Sequence, residues 1–100
     1  MADAYAQVDP ILHAWAGANG LKLFKSFAGR SARFCYWTSA RGECFQISVE
    51  PPQAAVVRVD AWTIETLDDR ELHAEWREPI DTLTNALDLA FSEVRNWAAA

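Results

Sequence analysis

The stretch Phe45 to Val59, F-Q-I-S-V-E-P-P-Q-A-A-V-V-R-V, constrains this chain more than any other. Phe45, Ile47 and Val49 alternate with Gln46, Ser48 and Glu50, the period of a strand with one face buried and the other wet. Pro51-Pro52 interrupts it, because neither residue can donate into a ladder. Val57 and Val59 then resume the alternation. A hairpin turning at Pro51 to Gln53 is the expected result. It pairs Val49 with Ala55, Ile47 with Val57 and Phe45 with Val59, and sets Gln46 opposite Arg58 and Cys44 opposite Asp60 on the other face.

The flanking segments supply further elements. Asp9-Pro10 suits a helix start, with Asp9 accepting from first-turn amides and Pro10 at the first helical position. Ile11, Leu12 and Trp15 form its apolar stripe, and Asn19-Gly20 ends it. Residues 1–8 and 98–100 are expected to be loose. Leu21 to Phe27 reads as an edge strand guarded by Lys22 and Lys25. Arg33 to Ser39 reads as the next strand, joined by a two-residue Arg41-Gly42 loop to Glu43. That loop pairs Trp37 with Gln46 and Cys35 with Ser48. It sends Phe34 and Tyr36 to the face of Phe45, Ile47 and Val49. Cys35 and Cys44 then share a face without standing opposite each other, so free thiols are expected. After a polar turn at Thr66 to Arg70, Leu72, Ala74 and Trp76 recur at period two, with Trp76 beside Val59 and Ala74 beside Ala61. Pro79 opens a last helix, on which Ile80, Leu83, Leu87, Ala90, Phe91, Val94 and Trp97 recur at three and four.

The order of elements predicts a single α+β domain spanning 1–100. It is a two-layer sandwich: a helix, an antiparallel meander of four or five strands, and a long C-terminal helix, with both helices on one sheet face. A hydrophobic content of 51% supports one packed core. No apolar run reaches the length of a membrane span. The N-terminal M-A-D-A-Y-A-Q-V-D-P lacks the basic-then-apolar order of a secretory signal, so a cytoplasmic location with reduced thiols is expected. The alanine-rich composition suits a bacterial protein. Charge is uneven. Residues 1–42 carry five cations against two acids, and residues 43–100 carry four against twelve, for a net charge of −5.

The polar side of the sheet is where a function is expected. It is predicted to hold Cys35, Trp37, Cys44, Gln46, Ser48, Val56, Arg58, Asp60, Trp62, His73, Glu75 and Arg77. Rings beside arginines make the usual centre of a protein interface. Trp37, Gln46, Arg58, Asp60, Trp62, His73 and Arg77 are therefore the expected partner-binding set. The plainer alternative covers Trp37 and Trp62 with the chain's own loops or termini. A second reading is a small-molecule binder or enzyme centred on His73, Glu75 and Asp60, since histidine has the intrinsic pKa for proton transfer. Simple pairing of Arg77 with Asp60 and of Arg58 with Glu75 would account for the same charges. A third reading is single-stranded nucleic-acid binding by residues 22–41, where five cations interleave with Phe24, Phe27, Phe34, Tyr36 and Trp37. The acidic whole opposes it, and nucleic acid is not an expected partner.

Cys35, Cys44 and His73 lack the short paired spacings of a zinc site, and no phosphate loop or nucleophile motif is present, so neither metal nor cofactor is expected. The expectation is a non-catalytic interaction protein that binds a protein partner or a second copy of itself through the open sheet face. In general layout it resembles small bacterial adaptor, immunity and secretion-chaperone proteins, an analogy of fold alone.

Overall fold

The structure, a computed structural model, describes residues 4–100. Helix α1 (Asp9–Ala18) leads into five strands: β1 (Leu23–Phe27), β2 (Arg30–Thr38), β3 (Cys44–Val49), β4 (Val56–Glu65) and β5 (His73–Pro79). A 3-10 turn (Ile80–Thr82) then feeds helix α2 (Leu83–Ala99). The strands form one antiparallel meander in chain order. Both helices lie on one face. Leu12 and Trp15 from α1 and Leu83, Leu87, Phe91 and Val94 from α2 share a core with Phe45, Ile47, Val49, Val57, Val59 and Ala61. This is the expected two-layer α+β sandwich, and the edge strand expected from Leu21 to Phe27 is present as Leu23–Phe27.

The chain before α1 is tied down from Tyr5 onward. Tyr5 and Val8 are buried, and the Tyr5 carbonyl accepts from the amides of Val8 and Asp9. Of the segment 1–8 expected to be loose, residues 1–3 lie outside the described residues. Asp9 does not cap α1. Its carboxylate instead takes the Arg33 guanidinium fork, at 2.6 and 3.1 Å. Arg33 is only 4% exposed and also lies over the Tyr5 ring. The hydrogen bond from Arg33 holds the Asp9 carboxyl below its ordinary pKa. At the other end α2 continues to Ala99, past the point where fraying was expected.

Two connections differ from expectation. The loop between β2 and β3 has three residues, Ala40 to Gly42, closed by the Ser39 amide donating to Glu43 and the Gly42 amide to Ser39. Gly42 has φ +86°, the left-handed residue that completes such a loop. One extra loop residue slips the register by one. Tyr36 faces Gln46 and Trp37 faces Phe45. A slip of one exchanges the faces. Cys35 and Trp37 therefore lie beneath the helices, and Phe34 and Tyr36 lie on the open side. Trp37 packs at 5.7 Å from Phe45 and 5.9 Å from Phe91, ring centre to ring centre.

The hairpin between β3 and β4 turns at Ala54-Ala55 rather than Pro51 to Gln53. Both alanines have positive φ, 52° and 64°, within a bridge between Gln53 and Val56. The prolines thus belong to an arm of the hairpin. Val49 faces Val59, Ile47 faces Ala61, Ser48 faces Asp60 and Gln46 faces Trp62. The displacement is four residues, an even number, so the expected faces survive although the Gln46–Arg58 and Cys44–Asp60 pairs do not. The β4–β5 register is as expected, with Val59 beside Trp76 and Ala61 beside Ala74. Both cysteines are free, and the true register puts them on opposite faces. Burial raises the Cys35 thiol pKa to about 11.

Glu43, 1% exposed, joins the start of β3 to the turn before β5. Its Oε2 accepts from the Leu67 amide at 3.1 Å and from Arg70 at 3.4 Å. This buried carboxylate does for the 66–70 turn what a backbone acceptor would otherwise have to do.

Candidate functional site on the open sheet face

Registers assemble the face that no helix covers. One row across the sheet runs Phe24, Phe34, Ser48, Asp60, Glu75, and the next runs Tyr36, Gln46, Trp62, His73. The β1–β2 half is aromatic. Phe24 stacks on Phe34 at 5.2 Å; Tyr36 meets both edge-on, and Phe27 meets Phe34 edge-on. Phe27 is 65% exposed and Tyr36 37%. The Lys22 ammonium lies over the Phe24 ring.

The β4–β5 half is a polar network built around one carboxylate. Asp60 is 1% exposed. Its Oδ1 accepts from Arg58 Nε at 3.2 Å and Nη2 at 3.0 Å, and lies 2.7 Å from His73 Nε2. Facing an ionised Asp60, that histidine nitrogen carries the proton. His73 is stacked flat on Trp62, with ring centres 3.7 Å apart, and Trp62 Nε1 donates to Ser48 Oγ at 3.2 Å. Glu75 lies 3.6 Å from Arg58 and 3.3 Å from Arg77. Each polar side chain is thus held in place by another, and the hydrogen bond that Arg58 donates to Asp60 raises the Arg58 pKa still further.

Gln46, Arg58, Asp60, Trp62, His73 and Arg77 all stand on this face as the sequence implies. Trp37 does not, because the longer loop turns it into the core. The expected Arg77–Asp60 pair is also replaced: Asp60 takes Arg58 and His73, while Arg77 reaches Glu75. Phe24, Phe27, Phe34 and Tyr36, named only for the nucleic-acid reading, join this face instead of Trp37. For Phe34 and Tyr36 the signal was Gly42, since a glycine as the third loop residue is the mark of the three-residue hairpin that exchanges the faces of β2.

The charges exposed on this side differ from those of the chain as a whole. Lys22, Arg30, Arg58 and Arg77 stand there against Glu50 and Glu75, with the buried Asp60 beneath them. Most of the chain's acids lie elsewhere, four of them between Glu65 and Glu71.

The His73–Asp60 pair has the form of an oriented base, but proton transfer also needs a place for a substrate. The nearby depression, of about 530 Å³, is lined by Glu50, Pro51, Gln53, Val56, Arg58 and Arg77, and His73 is not among its lining residues. A second depression of about 610 Å³ lies across the molecule between α1 and α2, over Ile11, Ala14, Trp15, Thr84 and Asp88, where Trp15 Nε1 donates to Asp88. Among the described residues no three His, Cys, Asp or Glu side chains gather as a metal site requires, and no helix is long and apolar enough to cross a membrane. No family model, no curated protein and no solved structure matches the chain.

Proposed function

We propose that this chain is a non-catalytic interaction protein that docks another protein on its open sheet face. The observation that carries the reading is the aromatic cluster Phe24, Phe27, Phe34 and Tyr36, continued through Gln46 to the Trp62–His73 stack. Contiguous apolar surface of this kind, beside fixed polar groups, is the usual signature of a binding site on a soluble domain. The rings are locked against one another, and Arg58 and His73 are locked by Asp60, so little side-chain entropy is lost on docking.

Complementarity defines the partner. Lys22 and Arg30 border the aromatic half, and Arg58 and Arg77 border the polar half. The fitting surface therefore presents apolar side chains within an acidic rim. A single strand of nucleic acid fits less well. Glu50, Asp60 and Glu75 share the face, and Phe24 and Phe34 spend their ring faces on each other rather than leaving them for bases. The name adaptor, immunity or chaperone rests on layout alone, and a bacterial cytoplasmic setting is proposed on composition.

Peptides selected from a random display library on the immobilised protein test this. Binders enriched in Leu, Phe or Trp with neighbouring Asp or Glu, and weakened about tenfold or more by Tyr36→Ala or Trp62→Ala with the fold intact, are the expected result. Binders indifferent to both substitutions would overturn it. So would tight, salt-sensitive binding of an oligothymidine in place of the peptides.

A further inference from the structure

We propose that the outer edge of β5 pairs antiparallel with β5 of a second copy, extending the meander into a ten-stranded sheet about a two-fold axis at Trp76. The argument begins with which amides are free. The Thr63 amide donates to the Leu72 carbonyl and the Ile80 amide to the Ala55 carbonyl. Backbone groups alternate along a strand, so the even-numbered residues from Leu72 to Ile80 turn toward β4. His73, Glu75, Arg77 and Pro79 therefore turn outward. Among the described residues β5 ends the sheet, with no strand beyond it.

The two edges differ. β1 is short, carries Lys25 and has a register break between Phe24 and Ser26, all of which hinder further pairing. β5 runs in unbroken register from His73 to Pro79. Its open-face charges, Glu75 and Arg77, are of opposite sign and two apart, while Glu78 stands on the helix side.

Symmetry then selects the register. In an isologous antiparallel pair the two residue numbers have a constant sum, and matching faces require that sum to be even. Centring on Glu75 would oppose Glu75 to Glu75, and centring on Arg77 would oppose Arg77 to Arg77. Centring on Trp76 overlaps all seven residues and places Glu75 opposite Arg77 twice. His73 then faces Pro79. The amides of His73, Glu75 and Arg77 meet the carbonyls of Pro79, Arg77 and Glu75 of the second copy. Pro79, which has no amide, occupies the end position where none is needed. On the helix side the two Trp76 rings come side by side at the axis, where rings contribute beyond their area.

Sedimentation of the whole chain over a range of concentrations, with wild type, Glu75→Arg, Arg77→Glu and the double swap, tests the pairing. A concentration-dependent dimer is expected. Either single reversal should weaken it about tenfold, because two symmetric pairs turn from attractive to repulsive, and the double swap should restore it. Both side chains are at the surface, and circular dichroism checks that the variants fold. Cross-copy contacts between β5 amides in a mixture of labelled and unlabelled wild-type protein give a readout independent of substitution. A monomer at all concentrations would overturn the proposal. A dimer indifferent to the reversals, with no β5 contacts, would also overturn it. Neither outcome touches peptide docking on the sheet face, so the two proposals fail separately.

Discussion

Replacing Trp37 by alanine and, separately, Tyr36 by alanine separates two arrangements of the sheet that differ by one residue of register. In the structure Trp37 lies under the helices against Phe45, which is wholly buried, and Phe91. Truncating a packed tryptophan removes its apolar burial and leaves a cavity, a loss of about 3–5 kcal/mol for a fully buried ring. Trp37 is half-buried, so the lower end, about 3 kcal/mol, is expected. Tyr36 is on the open side, where its ring meets those of Phe24 and Phe34 edge-on. Its loss costs about 1 kcal/mol, one or two edge-on ring contacts. Urea unfolding followed by circular dichroism measures both, with the linear slope unchanged. For a domain of ordinary stability, about 5–15 kcal/mol, a difference of 2 kcal/mol is easily resolved. Equal losses, or a larger loss at Tyr36, would refute the register and with it the make-up of the open face.

Other outcomes follow from single contacts. Gly42→Ala should cost about 1–2 kcal/mol from the left-handed backbone alone, since its added methyl meets nothing within 4 Å, whereas Gly17→Ala, inside α1 and equally unobstructed, should gain about 0.5–1 kcal/mol; thermal or urea unfolding reads both signs. Asp60→Ala should destabilise by about 1.5–3 kcal/mol, toward the lower end because Arg58 and His73 are partly open to water, and a neutral result in urea would show that the network is ornamental. The Asp9 carboxyl is held below its ordinary value of 3.8 by Arg33, so its contribution is complete above that pH and disappears as pH falls through the lower folded value. Asp9→Asn should therefore flatten the acid limb of the stability profile in that window and lower stability at neutral pH by about 1.5–3 kcal/mol.

Much of the fold can be read from periodicity because burial enforces it. Phe45, Ile47, Val49, Val57 and Val59 must share a face whatever the turn, so a displacement of four residues in pairing left their placement intact. The same holds for α2, where Leu83 to Val94 admit one stripe. What periodicity does not settle is β2, which reads R-F-C-Y-W-T and offers a ring on either face. There the loop length decides, and a third loop residue reverses the assignment of Trp37 and Tyr36. The Ala54-Ala55 tip carries no turn signal, since alanine rarely adopts positive φ. The Asp60 network was visible only as a set of charges. Which partner each charge takes depends on side-chain reach across two strands, which register alone does not fix.

The central claim is that partners dock on the open sheet face, and amide chemical-shift mapping with a selected acidic-apolar peptide tests it most directly. Titration should shift Phe24, Tyr36, Gln46, Trp62 and His73 together, saturably, and leave Ile11, Ala14 and Thr84 in the α1–α2 groove still. Shifts confined to that groove, with the sheet face unmoved, would contradict it.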